Sequence, residues 1–290
     1  MQRFEEILPG VYLLKVPFGV VWTGVVLVRG EKSVLIDSSQ TQPGEFVVPA
    51  LAEMGLKPSD VDWLLNTHVH GDHIGGHHSL VADFGMKAAA LDTSAQALRD
   101  PVAVAVRVRT RFPRNSPPPQ VYLKGVEPAK VLAENELLEG RFFAIRTPGH
   151  DDDCVCWYDT ETKTAFTGDS LQANGTPTQG VGFYRDLAAY RRTLAHLAEY
   201  DIENLVCGHD YDGIGPVVRG RENVKAALGY CAERVALYDS KLRGYLAEGV
   251  PVEDEPVALA LRLIDEVGCG RPDALFLALH TVSEHLKEIQ

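Results

Sequence analysis

The chain has 290 residues, of which 45% are hydrophobic and 23% charged, and its formal net charge is −12. That length and balance suit a globular protein of roughly two domains or one large one. The acidic balance argues against nucleic acid as the main partner, because phosphate backbones are bound through lysine and arginine. No apolar run approaches the roughly 18 to 20 residues needed to cross a bilayer.

The N-terminal "MQRFEEILPG" carries acids where a secretory leader would carry positive charge. The five cysteines are odd in number and form no C-x-x-C pair. A cytoplasmic protein is therefore expected. "GVYLLKV", "GVVWTGVVLV" and "KSVLIDSS" read as successive strands, "PGEFVVPALAEMG" as a helix with a glycine stop, and "VDWLLNT" as a strand again. The histidine-rich "HVHGDH" follows, where a strand ends and a loop leads to the next helix, a usual address for ligands in α/β proteins.

Between Arg99 and Lys124 the segment is strongly basic, with a net charge of +5. Asp100-Pro101 makes a good cap and first position for a helix, which would put Arg107, Arg111 and Arg114 on one face. The alternating valines fit a strand as well. Further on, "RFFAIRTPGH", "CVCWYD", "TAFTGDS" and "IENLVCGHD" read as strands, and "RDLAAYRRTLAHLAEY" as a helix capped by Asp186. From about residue 216 no strand signal returns, and amphipathic helices fill the remainder. The plan is α/β: two sheets packed face to face with helices outside. Residues 1–215 are expected to form the catalytic domain, with a lid insertion at about 94–125, and residues 216–290 a helical C-terminal extension.

Four strand ends carry ligand-type side chains. His68 and His70 are two apart, so on extended backbone they project to one side and can hold one cation. Asp72 and His73 lie past the bend and can turn toward a second. His150 completes the first site, His209 the second, and Asp169 can bridge both. Such a donor set suits two divalent metal ions, zinc above all, with iron or manganese as alternatives. His77, His78, His196, His280 and His285 are assigned no ligand role. Asp151, Asp152 and Asp153 fit a hydrated turn; the alternatives are orientation of a ligand histidine or an acidic wall that selects against anions. Cys207 fits core packing.

The set "HVHGDH … TPGH … TGDS … CGHD" resembles the metallo-β-lactamase fold superfamily, which holds glyoxalase II thioesterases, acyl-homoserine lactonases and persulfide dioxygenases. The likeness covers about residues 5–215. It implies a four-layer αββα sandwich with a dinuclear site at one edge. His68, His70 and His150 match its first metal site, Asp72, His73 and His209 its second, and Asp169 its bridging aspartate. Asp37 sits where the family often has an aspartate near the metal loop, and an ordinary turn explains it equally. The resemblance to lactonases implies a tyrosine where Gln172 stands. Glyoxalase II has a basic residue before Phe-Tyr; here Phe183 and Tyr184 follow Gly182, which puts glutathione recognition in doubt. The "GCGR" of persulfide dioxygenases occurs only at 268–271, where it reads as a helix stop.

The expected function is metal-dependent hydrolysis of a small carbonyl ester, thioester or lactone. A metal-bound water with a pKa lowered to about 7 would be the nucleophile, and Asp72 would orient it. The alternatives are a mononuclear iron oxidoreductase of the persulfide dioxygenase kind and a metal-binding protein without catalysis. Arg107, Arg111, Gln172 and Tyr184 are the expected substrate contacts. The partner is a small-molecule substrate, with neither nucleic acid nor membrane. The basic segment serves as a lid over the site or as a homo-oligomer contact.

Overall fold

A computed structural model describes residues 2–40 and 45–289. Its first sheet runs in chain order: β1 (Glu5–Leu8), β2 (Val11–Phe18), β3 (Val21–Val28), β4 (Val34–Ile36), β5 (Trp63–Leu65), β6 (Ala88–Leu91) and β7 (Lys130–Leu132). Pairing is antiparallel from β1 to β4 and parallel from β4 to β7. The second sheet has the order β12-β11-β10-β9-β8, formed by β8 (Phe142–Arg146), β9 (Val155–Asp159), β10 (Thr164–Gly168), β11 (Asn204–Cys207) and β12 (Val217–Arg219). The helices are α1 (Val47–Glu53), α2 (Gly71–Ile74), α3 (His77–Ala82), α4 (Asp92–Arg99), α5 (Pro101–Arg109), α6 (Leu187–Leu197), α7 (Arg221–Ala247), α8 (Val257–Val267) and α9 (Leu275–Ile289). The "PGEFVVPALAEMG" helix begins at Val47; Pro43 and Gly44 of that stretch lie outside the described residues.

Side-chain alternation produces the layers. Val26 and Val28 of β3 meet Val155 and Trp157 of β9 between the sheets. Val25 and Leu27 point the other way, against Val47, Ala50 and Leu51 of α1 and Leu80 of α3. Cys156 and Tyr158 of β9 turn outward against Tyr190 of α6, Cys231 of α7 and Leu279 of α9. Successive strand residues face opposite sides, so one apolar run serves two clusters. Each large apolar side chain that is fully buried contributes about 1.5–3 kcal/mol, against about 1 kcal/mol or less for an exposed ion pair. Apolar alternation therefore fixes the αββα order.

The C-terminal helices share this core. α7 lies on β11 and β12, and α9 touches α6, α7 and α8. β12 corrects the expectation that strands end near residue 216. It pairs antiparallel with β11 through Leu205 and Val218. Three residues, Val-Val-Arg, are too few to display alternation, so only the partner strand makes the assignment.

The basic segment starts as a helix. Asp100 accepts a hydrogen bond from the Ala103 amide at 3.2 Å, with Pro101 in the first turn. The helix ends at Arg109, which leaves Arg111 and Arg114 in the following loop and off the helix face expected for them. Asp186 caps α6 by accepting from the Ala189 amide at 2.7 Å. Gly268 ends α8, as the "GCGR" reading requires. Among the described residues the cysteines are free, with Cys207 buried in the outer core. None of the described helices is long and apolar enough to cross a membrane.

Two histidines of α9 tie it to the sandwich. His280 packs against Phe112 and Phe183 and donates from Nε2 to the Val108 carbonyl at 3.1 Å. His285 bonds the Tyr184 hydroxyl at 2.7 Å. Burial pushes both down, His280 to about 3 and His285 to about 4. Both are neutral in the fold and become charged on unfolding below the ordinary histidine pKa of about 6.5. Their stabilisation is complete above that pH and is lost as the pH falls from it toward the folded values. At pH 5 each should cost roughly 2 kcal/mol relative to pH 8. Urea unfolding of His280→Gln between pH 8 and 5 should therefore show a shallower loss than the wild type by about that amount. Parallel pH profiles would contradict the assignment.

Candidate metal centre

The seven side chains expected to be ligands converge at one edge of the sandwich. His68 and His70 lie on the extended stretch after β5, and α2 then turns Asp72 and His73 back toward them. His150 comes from the loop after β8, Asp169 from the end of β10 and His209 from just beyond β11. Donor atoms within 4.8 Å of one another form three sets: His68, His70 and His150; His68, His73 and Asp169; Asp72, His73 and His209. Asp169 lies between the two sites, with Oδ1 3.3 Å from His73 Nε2 and Oδ2 3.5 Å from both His150 and His209.

Backbone shape is as specific as the donors. Gly168, before Asp169, has φ +48°, and a Cβ there would run into the Thr67 side chain. At Gly208, before His209, a Cβ would stand 2.8 Å from a His73 ring carbon and crowd Asp169. Only glycine lets these strand ends approach so closely.

Each histidine is held at its far nitrogen and free at the near one. His73 Nδ1 is 2.8 Å from Asp37, His150 Nδ1 2.8 Å from the Phe183 carbonyl, and His209 Nδ1 2.7 Å from the Trp22 carbonyl. His68 Nδ1 lies 3.2 Å from the Thr67 hydroxyl, which itself donates to Asp37 at 2.8 Å. His70 is turned the other way, with Nε2 3.1 Å from Asp151 and Nδ1 toward the centre. Such outer acceptors fix the tautomer and ring orientation of metal-ligating histidines.

The inner nitrogens fit a cation. His70 Nδ1 and His150 Nε2 are 3.1 Å apart, and His73 Nε2 and His209 Nε2 3.4 Å. Tetrahedral zinc with bonds of about 2.0–2.1 Å has edges of about 3.3–3.4 Å. His68 Nε2 and Asp169 Oδ1 are buried and have no hydrogen-bond partner among the described residues, which for such polar atoms marks a missing ligand. Burial opposes a proton on His209, yet Asp169 and Asp72 carry it up to about 10. Burial would likewise raise Asp169, but His209 and His73 hold it well below the carboxylate range. The cluster demands positive charge. Burial, with His73 and His70 nearby, keeps His68 well below the usual histidine range, so it offers a lone pair.

Two outer carboxylates emerge as positioning groups. Asp37 serves both His73 and Thr67, so of its two readings the supporting role stands. Asp151 is buried and receives His70, Arg107 at 2.5 Å and Arg185 at 2.6 Å. Burial alone would raise its pKa, and His70 with the two arginines holds it low. Of the three consecutive aspartates only Asp152 is exposed; Asp153 is buried and accepts from the Val69 amide at 2.8 Å. The hydrated-turn reading applies to Asp152 alone.

A cavity of about 560 Å³ opens over these side chains, walled by Ala105, Val108 and Arg109 of α5, by residues 114–117 and Gln120, by Phe183 and by the start of α9. The four expected substrate contacts do not line it. Arg107 is engaged by Asp151 and Asp152, and Arg111 by Ser283 at 2.9 Å and Glu284 at 3.7 Å. Arginines two apart on a helix point to different sides, so Arg107 turns away while Arg109 lines the cavity. Gln172 and Tyr184 are buried behind the wall. Gln172 accepts from the Phe183 amide and donates to the Asp169 carbonyl, whereas Tyr184 stacks on Tyr190. The lining residues Arg109, Gln120, Gln179 and Phe276 were not anticipated. Arg109 was legible in principle, because it lies four residues after Ala105 on the buried face of α5.

A family model described as the metallo-beta-lactamase superfamily matches residues 16–209. A hydroxyacylglutathione hydrolase of Cereibacter sphaeroides is 31% identical over 183 residues, 63% of this chain and 58% of its own. The lactamase-like protein aptB of Emericella nidulans is 23% identical over 197 residues, 64% of this chain and 50% of its own. The chain spans about half the length of the curated relatives it matches. A metallo-beta-lactamase family protein of Thermus thermophilus superposes with a TM-score of 0.72 at 23% identity, covering 98% of this chain and 95% of that one. That likeness is one of fold, and it extends through the C-terminal helices. The ligand-bearing core, the layered architecture and the family match agree: this chain belongs to the metallo-β-lactamase superfamily.

Proposed function

We propose that the chain is a dinuclear metal-dependent hydrolase of a small carbonyl ester, thioester or lactone. The observation that carries this reading is the convergence of two three-residue donor sets, with the Asp169 carboxylate reaching both. A hydroxyacylglutathione hydrolase among the relatives supports hydrolysis as the reaction type. His68, His70 and His150 would hold one ion, and Asp72, His73 and His209 the other, with Asp169 shared. Zinc is the ion this donor set suits, with iron and manganese as alternatives. Divalent cations held there would supply Lewis acidity, polarising a carbonyl and lowering the pKa of water to about 7.

The protein's own groups do the orienting. Asp72 Oδ2 accepts from the Thr23 hydroxyl at 3.3 Å and lies 3.3 Å from His209 Nε2. Asp72 also lines the cavity, and its Oδ1 has no hydrogen bond to the described residues. That atom is placed to accept a hydrogen bond from an attacking water and so to orient it. Burial would raise this carboxyl, but His73 and His209 hold it far below its ordinary range, so it is an acceptor throughout the neutral region. Phe183 and Phe276 give the cavity apolar walls that exclude bulk water from the carbonyl.

Elemental analysis of the purified protein, with a turnover screen over lactones, thioesters and esters, tests the reading. It requires about two transition-metal ions per chain and metal-dependent hydrolysis. About one iron with oxygen uptake would instead indicate the dioxygenase chemistry. Asp169→Ala should lower the occupancy of both sites, while His209→Ala should empty mainly the second; full occupancy in Asp169→Ala would remove the bridging role.

Asp72→Asn should reduce kcat by roughly 10²-fold or more, the scale of losing one preorganised contact. A near-native rate with both metals bound would point to a different orienting group. Asp151→Asn should leave His70 in place but lower metal affinity by about 10- to 100-fold, as expected when an outer carboxylate is lost. Unchanged affinity in a metal titration would reduce Asp151 to a structural link between Arg107 and Arg185.

A further inference from the structure

Among the described residues, the basic segment contains one guanidinium that meets no acid. Arg99 pairs with Glu127 at 2.8 Å, Arg107 with Asp151 and Asp152, Arg111 with Glu284, and Arg114 with Glu255 at 3.3 Å. Arg109 makes neither an ion pair nor a hydrogen bond with the described residues. It is half-buried at the end of α5, with its guanidinium carbon 4.3 Å from the centre of the Phe276 ring. That stacking orients the planar fork and leaves its donors unused. Burial lowers the pKa of Arg109, and the carboxylate field that most opposes this comes from Asp72. In the proposed dinuclear state that carboxylate is committed to a cation, so Arg109 is left without protein neutralisation.

Arg109 also shares a cavity with the ligand set, since the same walls include His70, Asp72, His150 and His209. The other charged groups of the cavity do not duplicate it. Arg114 is held by Glu255, and Asp273 stands exposed at the rim without an ion pair to Arg109. A partly desolvated cation with its donors free is a receptor for an anion, and a guanidinium fork matches a carboxylate through two parallel hydrogen bonds. A single unpaired arginine beside an acidic rim suits a monoanion better than a phosphate dianion. The cavity, at about 560 Å³, holds a small ligand.

We propose that Arg109 is the specificity-determining residue of the cavity and that the substrate is a small ester, thioester or lactone bearing a carboxylate that seats on its guanidinium. This rests on the hydrolase reading for the reaction, while the anion seat itself is a property of Arg109 and Phe276. It explains why one arginine of five lacks an acid, and why that one faces the metal ligands.

The test compares 4-nitrophenyl hemisuccinate with 4-nitrophenyl butyrate, similar in length and differing in charge, on the metal-loaded wild type, Arg109→Gln and the distant control Arg99→Gln. Arg109→Gln should raise KM for the hemisuccinate about tenfold more than KM for the butyrate, the scale of one charge-assisted contact. Arg99→Gln should shift neither, and Arg109→Lys should recover part of the difference. Calorimetric titration with glutarate supplies a reading independent of turnover, with about tenfold weaker binding expected in Arg109→Gln at equal metal content. Equal KM changes for the two esters together with unchanged glutarate binding would overturn the proposal. So would wild-type protein that does not bind glutarate, or an Arg109 dependence seen with inorganic phosphate and not with glutarate. If neither ester turns over but glutarate binding depends on Arg109, the hydrolase reading fails and the carboxylate seat stands.

Discussion

Five imidazoles and two carboxylates, grouped in sets whose donor atoms lie within 4.8 Å of one another and in several pairs only 3.1–3.6 Å apart, cannot coexist in a buried site without positive charge among them. The like-for-like contacts between ring nitrogens are repulsive unless a proton or a cation lies between them. Burial strengthens both the repulsion and the attraction that a cation would bring. The outer acceptors exist to hold this arrangement. Asp37, Asp151 and the carbonyls of Phe183 and Trp22 each take one histidine by the nitrogen that the centre does not need.

Holding the rings requires two sheets. His68, His70, Asp72 and His73 depend on the first, and His150, Asp169 and His209 on the second. The sheets are fastened close to the centre. The Val155 amide donates to the Thr67 carbonyl at 2.8 Å, and the Trp157 indole to the Asn66 carbonyl at 2.9 Å. The large apolar cluster between the sheets therefore sets the spacing of the seven side chains indirectly, through loops only a few residues long.

The basic segment and the C-terminal helices form one electrostatic unit. Within a stretch of net +5 in a chain of −12, Arg99, Arg107, Arg111 and Arg114 each meet an acid. Glu284 of α9 receives Arg111, and Glu255 before α8 receives Arg114 and Asn115. These contacts, with His280 against Phe112, lay the loop after α5 against the middle of α9, beside the cavity wall. The helices are thus part of the site's enclosure as well as the outer layer of the second sheet.

What the sequence determined by itself was local. Alternating Val and Leu runs specified β2, β3, β9 and β11, the Asp100-Pro101 and Asp186 caps specified the starts of α5 and α6, and "HVHGDH", "TPGH", "TGDS" and "CGHD" specified donors beside glycine. These signals lie within a few residues, where backbone preference and side-chain spacing act directly. β12 was invisible because three residues carry no period. Charge alone did not separate Arg107 and Arg111 from Arg109, because what neutralises the first two lies 44 to 173 residues away. Gln172 and Tyr184 follow Asp169 in sequence, yet the packing of α6 and α9 buries them behind the cavity wall, where Gln172 bonds the Asp169 carbonyl and Tyr184 bonds His285. Ligand identity is a matter of residue type and short spacing, which a sequence carries. Which cation remains free to meet a substrate depends on long-range neutralisation, and only the tertiary structure decides it.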